Sequence, residues 1–576
     1  MKILCLHVDY INFKPLKKAL KDVKELGEKE KQLQKVGESL VVLASVEKND
    51  TANATAVKLA ENVEDIAGQV KAKTIVLYPY AHLSRNLGSP ATAEEILGEA
   101  EKELKKKFKV IRAPFGYYKE FELKVKGHPL SELSREIAEE ENTGQEDDDK
   151  TDIEQLKDRL TKVRMSAPKG KNGLKSNVEL GRDLDLYIVS EVVGPGLPLL
   201  TSRGATIKRE IERFIVDEEI KKGYEHVSTP VMAKSDLFKI SGHWQHYKDS
   251  MFVMNLGTEK FALRPMTCPF HFVLYKSRPR SYKEMPVKYA EISTLFRNEK
   301  SGELRGLSRV RQFTLADAHI ICRPGQVEEE FAKVLDLIKF SMEKLGINDV
   351  WYRFSKWDPK NKEKYVDNPK AWEETQRIMK KILDKLKLKY VEAENEAAFY
   401  GPKLDLQYKD VYGKEDTLFT VQIDFALPEK FNLTYVNEKG KEERAMVIHR
   451  SSTGATERVI AHLLELGQGS LKTWLSPMQV RVLSFTDRNE KHARKVIEHI
   501  GKEMPNLRLD ADFRSIPMAT KVKDAEIMKV PYIAVIGDKE EKENAIAVRS
   551  KGSQKIKLMK IDDFVRELKE EIENRK

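Results

Sequence analysis

The sequence has little cysteine and no long apolar segment. Only three cysteines occur among 576 residues, at Cys5, Cys268 and Cys322. This argues against a disulfide framework and favours a reducing compartment. A run of about eighteen apolar residues, which a membrane-spanning helix needs, is absent, and the apolar segment at the start of the chain is too short for a signal peptide. We therefore expect a cytoplasmic protein without a membrane partner.

Basic and acidic residues are nearly balanced in this sequence. The 102 Lys and Arg residues against 92 Asp and Glu residues give a net charge of +10. This small excess is compatible with a polyanionic partner such as RNA, but it does not select one. Hydrophobic residues make up 40% of the sequence, which is enough for packed cores, and the length predicts several domains.

Composition divides the chain into four blocks. Residues 1–140 alternate β-like segments, such as SLVVLASV and KVIRAPFGYY, with helical stretches, which indicates an α/β domain. Residues 141–180 begin with an acidic tract without apolar periodicity, which predicts a linker. Residues 181–475 hold the motifs that suggest chemistry. Residues 476–576 alternate strands and helices again, which predicts a small sheet with helices on its faces.

The most informative segment is residues 286–322. Its flanks, VKYAEISTLF and RVRQFTLADAHIIC, are rich in β-branched and aromatic residues and predict two strands joined by a polar, glycine-containing loop. Arg297 and Arg309 stand near the strand ends and suit a polyphosphate, because guanidinium groups bind phosphate oxygens in pairs. From the residues alone, an exposed hairpin with solvated charges stays open as the alternative.

A helix and a strand are predicted ahead of this hairpin. Ile207, Ile211 and Phe214 recur at helical spacing, and Gly223 is a typical residue at a helix end. The following segment YEHVSTPV predicts a strand that ends near a proline. Alone this pattern is unspecific.

Together these segments resemble class II aminoacyl-tRNA synthetases. The helix and strand are similar to the first signature motif, which builds the dimer interface, and the hairpin is similar to the second. SSTGATERVIAHLLE, with Gly454 and Arg458, resembles the third. The tail at Asp317, Ala318 and His319 narrows the resemblance to threonyl-tRNA synthetases. KVKDAEIMKVPYIAVIGDKE resembles the anticodon-binding domain shared by threonyl-, prolyl-, histidyl- and glycyl-tRNA synthetases.

The resemblance implies a multidomain chain of mixed α/β and α+β class. Residues 181–475 would form a catalytic core on an antiparallel sheet. Residues 476–576 would form an α/β anticodon-binding domain, and residues 1–140 an α/β domain related to deacylases. The implied reaction is ATP-dependent ligation of L-threonine to tRNA(Thr) through a threonyl-adenylate, in a homodimer.

The resemblance also implies how ATP is held. Activation joins a carboxylate to the α-phosphate, so the site must neutralise phosphate charge. Arg297 would bridge the α-phosphate and the amino-acid carboxylate, Glu299 would accept from the adenine amino group, and Arg309 would bind the outer phosphates. Phe313 would stack on adenine, Arg458 would reach phosphate, and Mg²⁺ ions would accompany ATP.

A second implied group is Cys268, His319 and His449. One thiolate and two imidazoles suit Zn²⁺, and three protein ligands leave an open position. At such wide spacing, buried cysteine and histidine without a metal are commoner. By the resemblance, Zn²⁺ would take the amino and hydroxyl groups of threonine and so reject valine, while Asp317 would accept the hydroxyl proton. Three further residues are implied in this pocket: Tyr400, Lys403 and Gln422.

The first block resembles the archaeal threonyl-tRNA synthetase editing domain, which is related in fold to D-aminoacyl-tRNA deacylases. Serine keeps the hydroxyl, and the loss of one methyl group changes binding by only about 1–3 kcal/mol, so a hydrolytic site for seryl-tRNA(Thr) is implied. Lys119 would polarise the ester, His82 would position the seryl side chain or a water, and Glu132 would orient them. Tyr118 and His128 are the other implied members.

Two other interpretations stay open. An editing or regulatory factor could keep the synthetase fold without ligation, although Arg297, Arg458 and the three metal-type residues argue against it. A prolyl- or seryl-type ligase is the second, and it would be favoured if the Cys/His/His group were absent.

Overall fold

The computed structural model describes residues 1–137 except 21, 22, 24, 49, 85 and 129, the short pieces 157, 159–160, 162–163 and 165, and residues 167–576 except 554. The chain divides into two units, residues 1–150 and residues 151–576. The acidic tract predicted to be a linker lies outside the described residues. In the described part of the chain, no helix is both long and apolar enough to cross a bilayer.

In its described residues, the first unit forms one sheet and two α-helices. Its strands are β1 (Lys2–Lys18), β2 (Gln34–Val36), β3 (Ser39–Ser45), β4 (Thr74–Pro79), β5 (Lys109–Arg112), β6 (Tyr117–Val125) and β7 (Glu132–Glu136), and its helices are Ala52–Val70 and Pro90–Leu104. The strand order is β2-β1-β3-β4-β5, and β6 and β7 also pair with β1. Pairs β3–β4 and β4–β5 are parallel, while every partner of β1 is antiparallel. Leu59, Val63 and Ile96 of the helices are buried in one core with the apolar residues on one face of β3 and β4.

The β-like segment KVIRAPFGYY contributes to two strands. It splits between β5, which pairs with β4, and β6, which pairs with β1. Pro114 has no amide hydrogen for a sheet, and Gly116 has φ +72°, a left-handed conformation that favours glycine. The predicted β structure is therefore present, and these two residues turn the chain between its two sheet partners.

The second unit contains a central eight-stranded sheet. Its strands are β10 (Glu225–His226), β14 (Val287–Phe296), β15 (Gln312–Cys322), β16 (Trp351–Ser355), β17 (Tyr390–Ala393), β18 (Lys403–Lys409), β19 (Glu415–Asp424) and β22 (Met446–Ala455). The order is β10-β14-β15-β22-β19-β18-β16-β17, antiparallel except at the two edge pairs. The two predicted strands of the hairpin are confirmed as β14 and β15, while YEHVSTPV contributes only the short β10.

Smaller sheets and helices surround the central sheet. The remaining strands are β8 (Tyr187–Ile188), β9 (Leu199–Leu200), β11 (Met232–Lys234), β12 (Val253–Leu256), β13 (Glu259–Leu263), β20 (Thr434–Val436) and β21 (Glu442–Arg444). The helices are Asn177–Asp183, Ser202–Lys221, Ser235–Ser241, His243–His246, Cys268–Lys276, Val327–Leu345, Pro369–Lys385, Ala426–Lys430 and Thr456–Leu466. The predicted amphipathic helix is Ser202–Lys221, and its buried residues Ile207, Ile211 and Phe214 belong to the core beneath the sheet.

The C-terminal part of the second unit is a separate five-stranded sheet, as predicted. Its strands are β23 (Val480–Ser484), β24 (Leu509–Asp512), β25 (Tyr532–Ile536), β26 (Ala545–Ser550) and β27 (Ile556–Lys560), in the order β24-β23-β25-β26-β27. Its helices are Glu490–Glu503, Met518–Ile527, Asp538–Glu543 and Ile561–Glu573. Val496, Ile500 and Phe564 pack against β23 and β25 in one core.

Candidate functional sites

Four neighbouring strands bring distant residues into one row. His319 on β15 lies opposite His449 on β22, His449 lies opposite Gln422 on β19, and Gln422 lies opposite Lys403 on β18. Residues directly opposite in an antiparallel sheet share a face and lie about 4.5–5.5 Å apart. The sheet register therefore gathers side chains that the sequence scatters over three motifs.

Three side chains that suit a metal come together here, and two of them belong to this row. Cys268 is the first residue of the helix Cys268–Lys276, and its Sγ and one ring nitrogen each of His319 and His449 all lie within 4.8 Å of one another. Burial lowers the pKa of His319 well below 6.5, so its imidazole is neutral, which is the form that binds a metal. Burial raises the pKa of the Cys268 thiol well above 9.0. A soft donor and two imidazoles fit Zn²⁺ better than Mg²⁺ or Ca²⁺.

A carboxylate orients His449, and the sequence interpretation missed it. The Nε2 of His449 lies 2.7 Å from Oδ2 of buried Asp424, so this nitrogen carries the hydrogen and Nδ1 keeps its lone pair. The ring of Tyr400 stacks on His449 at a centroid distance of 4.8 Å. Asp424 follows Gln422 by two residues, hence on the same face of β19, and this spacing could have identified it.

The metal-type group opens into a cavity of about 190 Å³, which we call the main cleft. It is lined by the residues predicted for ATP, for threonine and for the metal, apart from Lys403. These residues are Cys268, Arg297, Glu299, Arg309, Phe313, Asp317, His319, Tyr400, Gln422, His449 and Arg458. The structure thus joins the two constellations that the sequence could only place in separate motifs.

The hairpin supplies several of the charged residues of the main cleft. The guanidinium of Arg297 lies over the ring of Phe313, 5.1 Å from its centroid. Arg309 donates from Nε to Oε2 of Glu299 at 2.9 Å. The two residues predicted to bind opposite ends of ATP are therefore paired with each other, and ligand contacts to either one would replace this ion pair.

Arg458, which belongs to the third motif, is held by backbone carbonyls of two other segments. Its Nε donates to the carbonyl of Ser308 at 3.0 Å, and its Nη1 donates to the carbonyl of Thr417 at 2.7 Å. Gly454 has φ +66°, and a Cβ there would lie 2.2 Å from the carbonyl oxygen of Leu418. Glycine is required at this position because β19 passes so close to β22.

Asp317, Tyr400 and Gln422 line the main cleft together, whereas Lys403 is paired with a neighbouring carboxylate. Its Nζ lies 3.0 Å from Oδ2 of buried Asp405, and it does not line the main cleft. Tyr400 donates its hydroxyl to Oε1 of Gln422. Burial raises the pKa of Asp317, whose Oδ1 lies 4.0 Å from Nε2 of His319.

The first unit has its own cavity, of about 520 Å³, which we call the N-terminal cavity. His82, Tyr118 and Lys119 line it, together with many apolar and aromatic residues. The Lys119 amine donates to the carbonyls of Pro114 at 2.8 Å and Tyr117 at 3.1 Å. Burial lowers the pKa of this amine from 10.5 to about 8.

The other two predicted editing residues do not line the N-terminal cavity. His128 lies beside His7, with Nε2 of His128 2.9 Å from Nδ1 of His7. Glu132 is exposed at the start of β7, where its backbone pairs with Leu6. The sequence alone could not separate these two residues from Lys119, because β6 and β7 both pair with β1 but along different parts of that strand.

Three protein-family models match successive segments of the chain. The Archaea-specific editing domain of threonyl-tRNA synthetase matches residues 1–137. The tRNA synthetase class II core domain (G, H, P, S and T) matches residues 252–466. The anticodon binding domain matches residues 479–571.

Curated relatives match about two thirds of this chain. A threonine–tRNA ligase of Clostridium perfringens is 50% identical over 401 residues, which is 69% of this chain and 62% of that protein. One from Clostridium botulinum is 52% identical over 398 residues, again 62% of its length. The chain thus covers less than two thirds of these relatives.

Two solved structures from threonyl-tRNA synthetases superpose on this chain. The RNA binding domain of threonyl-tRNA synthetase from Cryptosporidium parvum superposes with a TM-score of 0.65 at 31% identity, over 69% of this chain and 98% of that one. ThrRS-1 of Aeropyrum pernix superposes with a TM-score of 0.62 at 27% identity, over 70% of this chain and 96% of that one. The chain belongs to the threonyl-tRNA synthetase family.

Proposed function

We propose that the chain is a threonine–tRNA ligase that joins L-threonine to tRNA(Thr) through a threonyl-adenylate and hydrolyses mischarged seryl-tRNA(Thr) in its first unit. One observation carries the ligase proposal: the Cys268, His319 and His449 group shares the main cleft with Arg297 and Arg458. The first set suits an amine and a hydroxyl group, and the second suits a polyphosphate.

In the activation step, the arginines would hold two anions together. The Nε of Arg297 is shielded from solvent and has no hydrogen-bond partner within the described residues, so this guanidinium is available to the carboxylate and the α-phosphate. Arg309 would leave Glu299 for the outer phosphates, which frees Glu299 to accept from the adenine amino group. Phe313 would stack on adenine, Arg458 would hold phosphate charge, and Mg²⁺ would enter with ATP.

Selection of threonine is proposed to rest on the metal-type group. Cys268, His319 and His449 would hold Zn²⁺, which when bound supplies an electrophilic position for the amino and hydroxyl groups of threonine. Asp317 would accept a hydrogen bond from the hydroxyl. Tyr400 and Gln422, already bonded to each other, would close the pocket. Valine has no hydroxyl and would leave these buried polar groups unsatisfied, so it would be rejected.

Hydrolysis of seryl-tRNA(Thr) is proposed for the N-terminal cavity. Lys119 is supported by its position, because a partly buried amine that lies over the ring of Tyr78 and is bonded to two carbonyl oxygens can turn toward an ester. His82 and Tyr118 line the same cavity and would contact the seryl end. The orienting role of Glu132 and the membership of His128 remain predictions about groups outside that cavity.

The domain division and the assembly are also proposals. We propose an editing domain at residues 1–140, a linker at 141–180, a catalytic domain at 181–475 and an anticodon-binding domain at 476–576.

A homodimer would form through the region of helix Ser202–Lys221, where Ile220 is 57% exposed. Three free cysteines, all buried, suit the reducing cytoplasm. Sedimentation analysis of the purified chain would measure the assembly.

ATP–pyrophosphate exchange with threonine, serine, valine and proline tests the ligase proposal. We expect exchange with threonine, weaker exchange with serine, and almost none with valine or proline. Elemental analysis of the same preparation should find one zinc per chain. Exchange with none of the four amino acids would instead favour an editing or regulatory factor, and exchange with proline alone would favour another ligase.

A further inference from the structure

A chain of buried polar residues leads from the core to one proposed metal ligand. Nδ1 of His319 lies 2.8 Å from Nδ1 of His271, and Nε2 of His271 lies 3.3 Å from Oε2 of Glu291. Oε1 of Glu291 accepts from Nη2 of Arg264 at 2.9 Å, and Oε2 accepts from Thr229 Oγ1 at 2.7 Å. Arg264, His271, Glu291 and His319 are each at most 5% exposed. None of the proposed catalytic steps uses Arg264, Glu291 or His271.

The donors and acceptors of this chain can be assigned in order. Arg264 can only donate, and its positive charge neutralises Glu291, so the carboxylate stays an acceptor. His271 then donates from Nε2 to Glu291 and accepts at Nδ1. His319 must donate from its own Nδ1, and its Nε2 is left with a lone pair. The core thereby fixes the tautomer of His319 that can bind a metal through Nε2.

We propose that His271 is a positioning residue that holds His319 in its metal-binding tautomer and orientation, with Glu291 and Arg264 setting the direction of the hydrogen bonds. This inference rests on the metal site of the proposed function. The two imidazoles of the metal site are then held by different groups. His449 is oriented directly by the carboxylate of Asp424, whereas His319 is oriented by a second imidazole, that of His271.

A fourth-ligand role for His271 fits the structure less well. Cys268 and His271 are three residues apart on one helix, a spacing that suits a shared metal. Both ring nitrogens of His271 are, however, within hydrogen-bond distance of His319 and Glu291. Among the residues that the structure describes, the group with ligand atoms within 4.8 Å contains only Cys268, His319 and His449.

Glu291→Gln is the sharpest variant, because it keeps the shape and reverses the hydrogen bonds. Arg264 can only donate, so the new amide oxygen must face Arg264 and the amide nitrogen must face His271. His271 would then accept at Nε2 and donate from Nδ1, which places the hydrogen of His319 on the nitrogen that should bind zinc. We expect the zinc affinity of the full chain, measured by competition with a chromogenic chelator, to fall about 10- to 100-fold.

His271→Phe removes the link altogether and should lower zinc affinity by a similar factor. The matched controls are Glu465→Gln and His462→Phe, which make the same changes at buried residues outside this chain of hydrogen bonds. Both controls should bind zinc like the wild type. Circular dichroism of the metal-free proteins checks folding, and if His271→Phe does not fold, the isosteric Glu291→Gln decides.

The outcomes separate this inference from the proposed function. Unchanged zinc affinity in Glu291→Gln overturns the positioning role. The absorption spectrum of the Co²⁺-substituted His271→Phe protein should keep the ligand-field bands of the wild type, and a changed coordination geometry would make His271 a ligand instead. A wild-type chain that binds no zinc would refute the metal site itself and not the positioning of His319.

Discussion

The main cleft and the N-terminal cavity hold their polar groups in opposite ways. In the main cleft, Arg309 is paired with a carboxylate, Arg458 is bonded to carbonyls, and His449 is bonded to Asp424. In the N-terminal cavity, Lys119 is bonded to carbonyls, lies over the ring of Tyr78 and has a lowered pKa, within mainly apolar walls. A site for charged phosphates needs fixed, permanently charged groups, whereas a site for a neutral ester can use one amine whose charge is adjustable.

The largest effect should come from Cys268→Ser. Loss of the thiolate removes the soft donor that favours zinc, so the demand for a hydroxyl group in the substrate is lost. The preference for threonine over valine in pyrophosphate exchange should fall from about 10⁴-fold or more to about 10²-fold, and total exchange should drop strongly. Cys322→Ala, another buried cysteine outside the main cleft, is the control. A variant that keeps full selectivity would contradict the metal proposal.

Arg297→Ala should act on rate and leave selectivity alone. The guanidinium over Phe313 would no longer stabilise the charge that develops between carboxylate and α-phosphate. We expect exchange to fall about 10²- to 10³-fold with the threonine-to-serine ratio unchanged. Lys300→Ala removes an exposed positive charge from the same hairpin and should have little effect. An altered substrate ratio in Arg297→Ala would show that the two halves of the main cleft are not separable.

Lys119→Met should slow the deacylation of preformed seryl-tRNA(Thr) by the full chain about 10- to 100-fold. The amine polarises an ester only when protonated, and burial places its pKa at about 8. The ratio of wild-type to Lys119→Met rates should therefore be largest below pH 8 and shrink as the pH rises through about 8. Lys17→Met, an exposed lysine near Tyr118, is the control. Equal rates for wild type and Lys119→Met would refute the role of Lys119.

The smallest effect should be a gain in stability from the same substitution. Because the pKa of Lys119 is lower in the folded than in the unfolded state, the protonated amine destabilises the fold fully below about pH 8, and this cost fades as the pH rises toward 10.5. Lys119→Met should thus raise the free energy of unfolding of the first unit at pH 7, on the order of 1 kcal/mol. Urea unfolding at neutral and alkaline pH would measure the difference. A loss of stability at pH 7 would show that Lys119 is structurally favourable.

Much of the fold could be predicted from local pattern. The hairpin strands β14 and β15 and the helix Ser202–Lys221 follow β-branched alternation and helical periodicity, and these are local properties. KVIRAPFGYY was predicted only as a β-like segment, because composition does not show where Pro114 and Gly116 redirect the chain between two sheet partners.

The candidate site was predicted as residue types and not as contacts. His271 stands inside RPMTCPFH and Asp424 inside TVQIDF, yet the sequence assigns a role to neither. Which residues contact His319 and His449 from behind depends on which strands become neighbours. The absence of Lys403 from the main cleft has the same cause, because its partner Asp405 is fixed by the register of β18.

The sequence by itself determined the chemistry available to this protein: one thiol, two imidazoles and three arginines in motifs that resemble one family, and a first block that resembles an editing domain. Only the tertiary structure decided which of these groups meet. The register of β15, β22 and β19 sets His319, His449 and Gln422 side by side, while buried partners fix the hydrogens on both imidazoles. Such long-range pairing depends on the packing of the whole sheet, so no local segment can specify it.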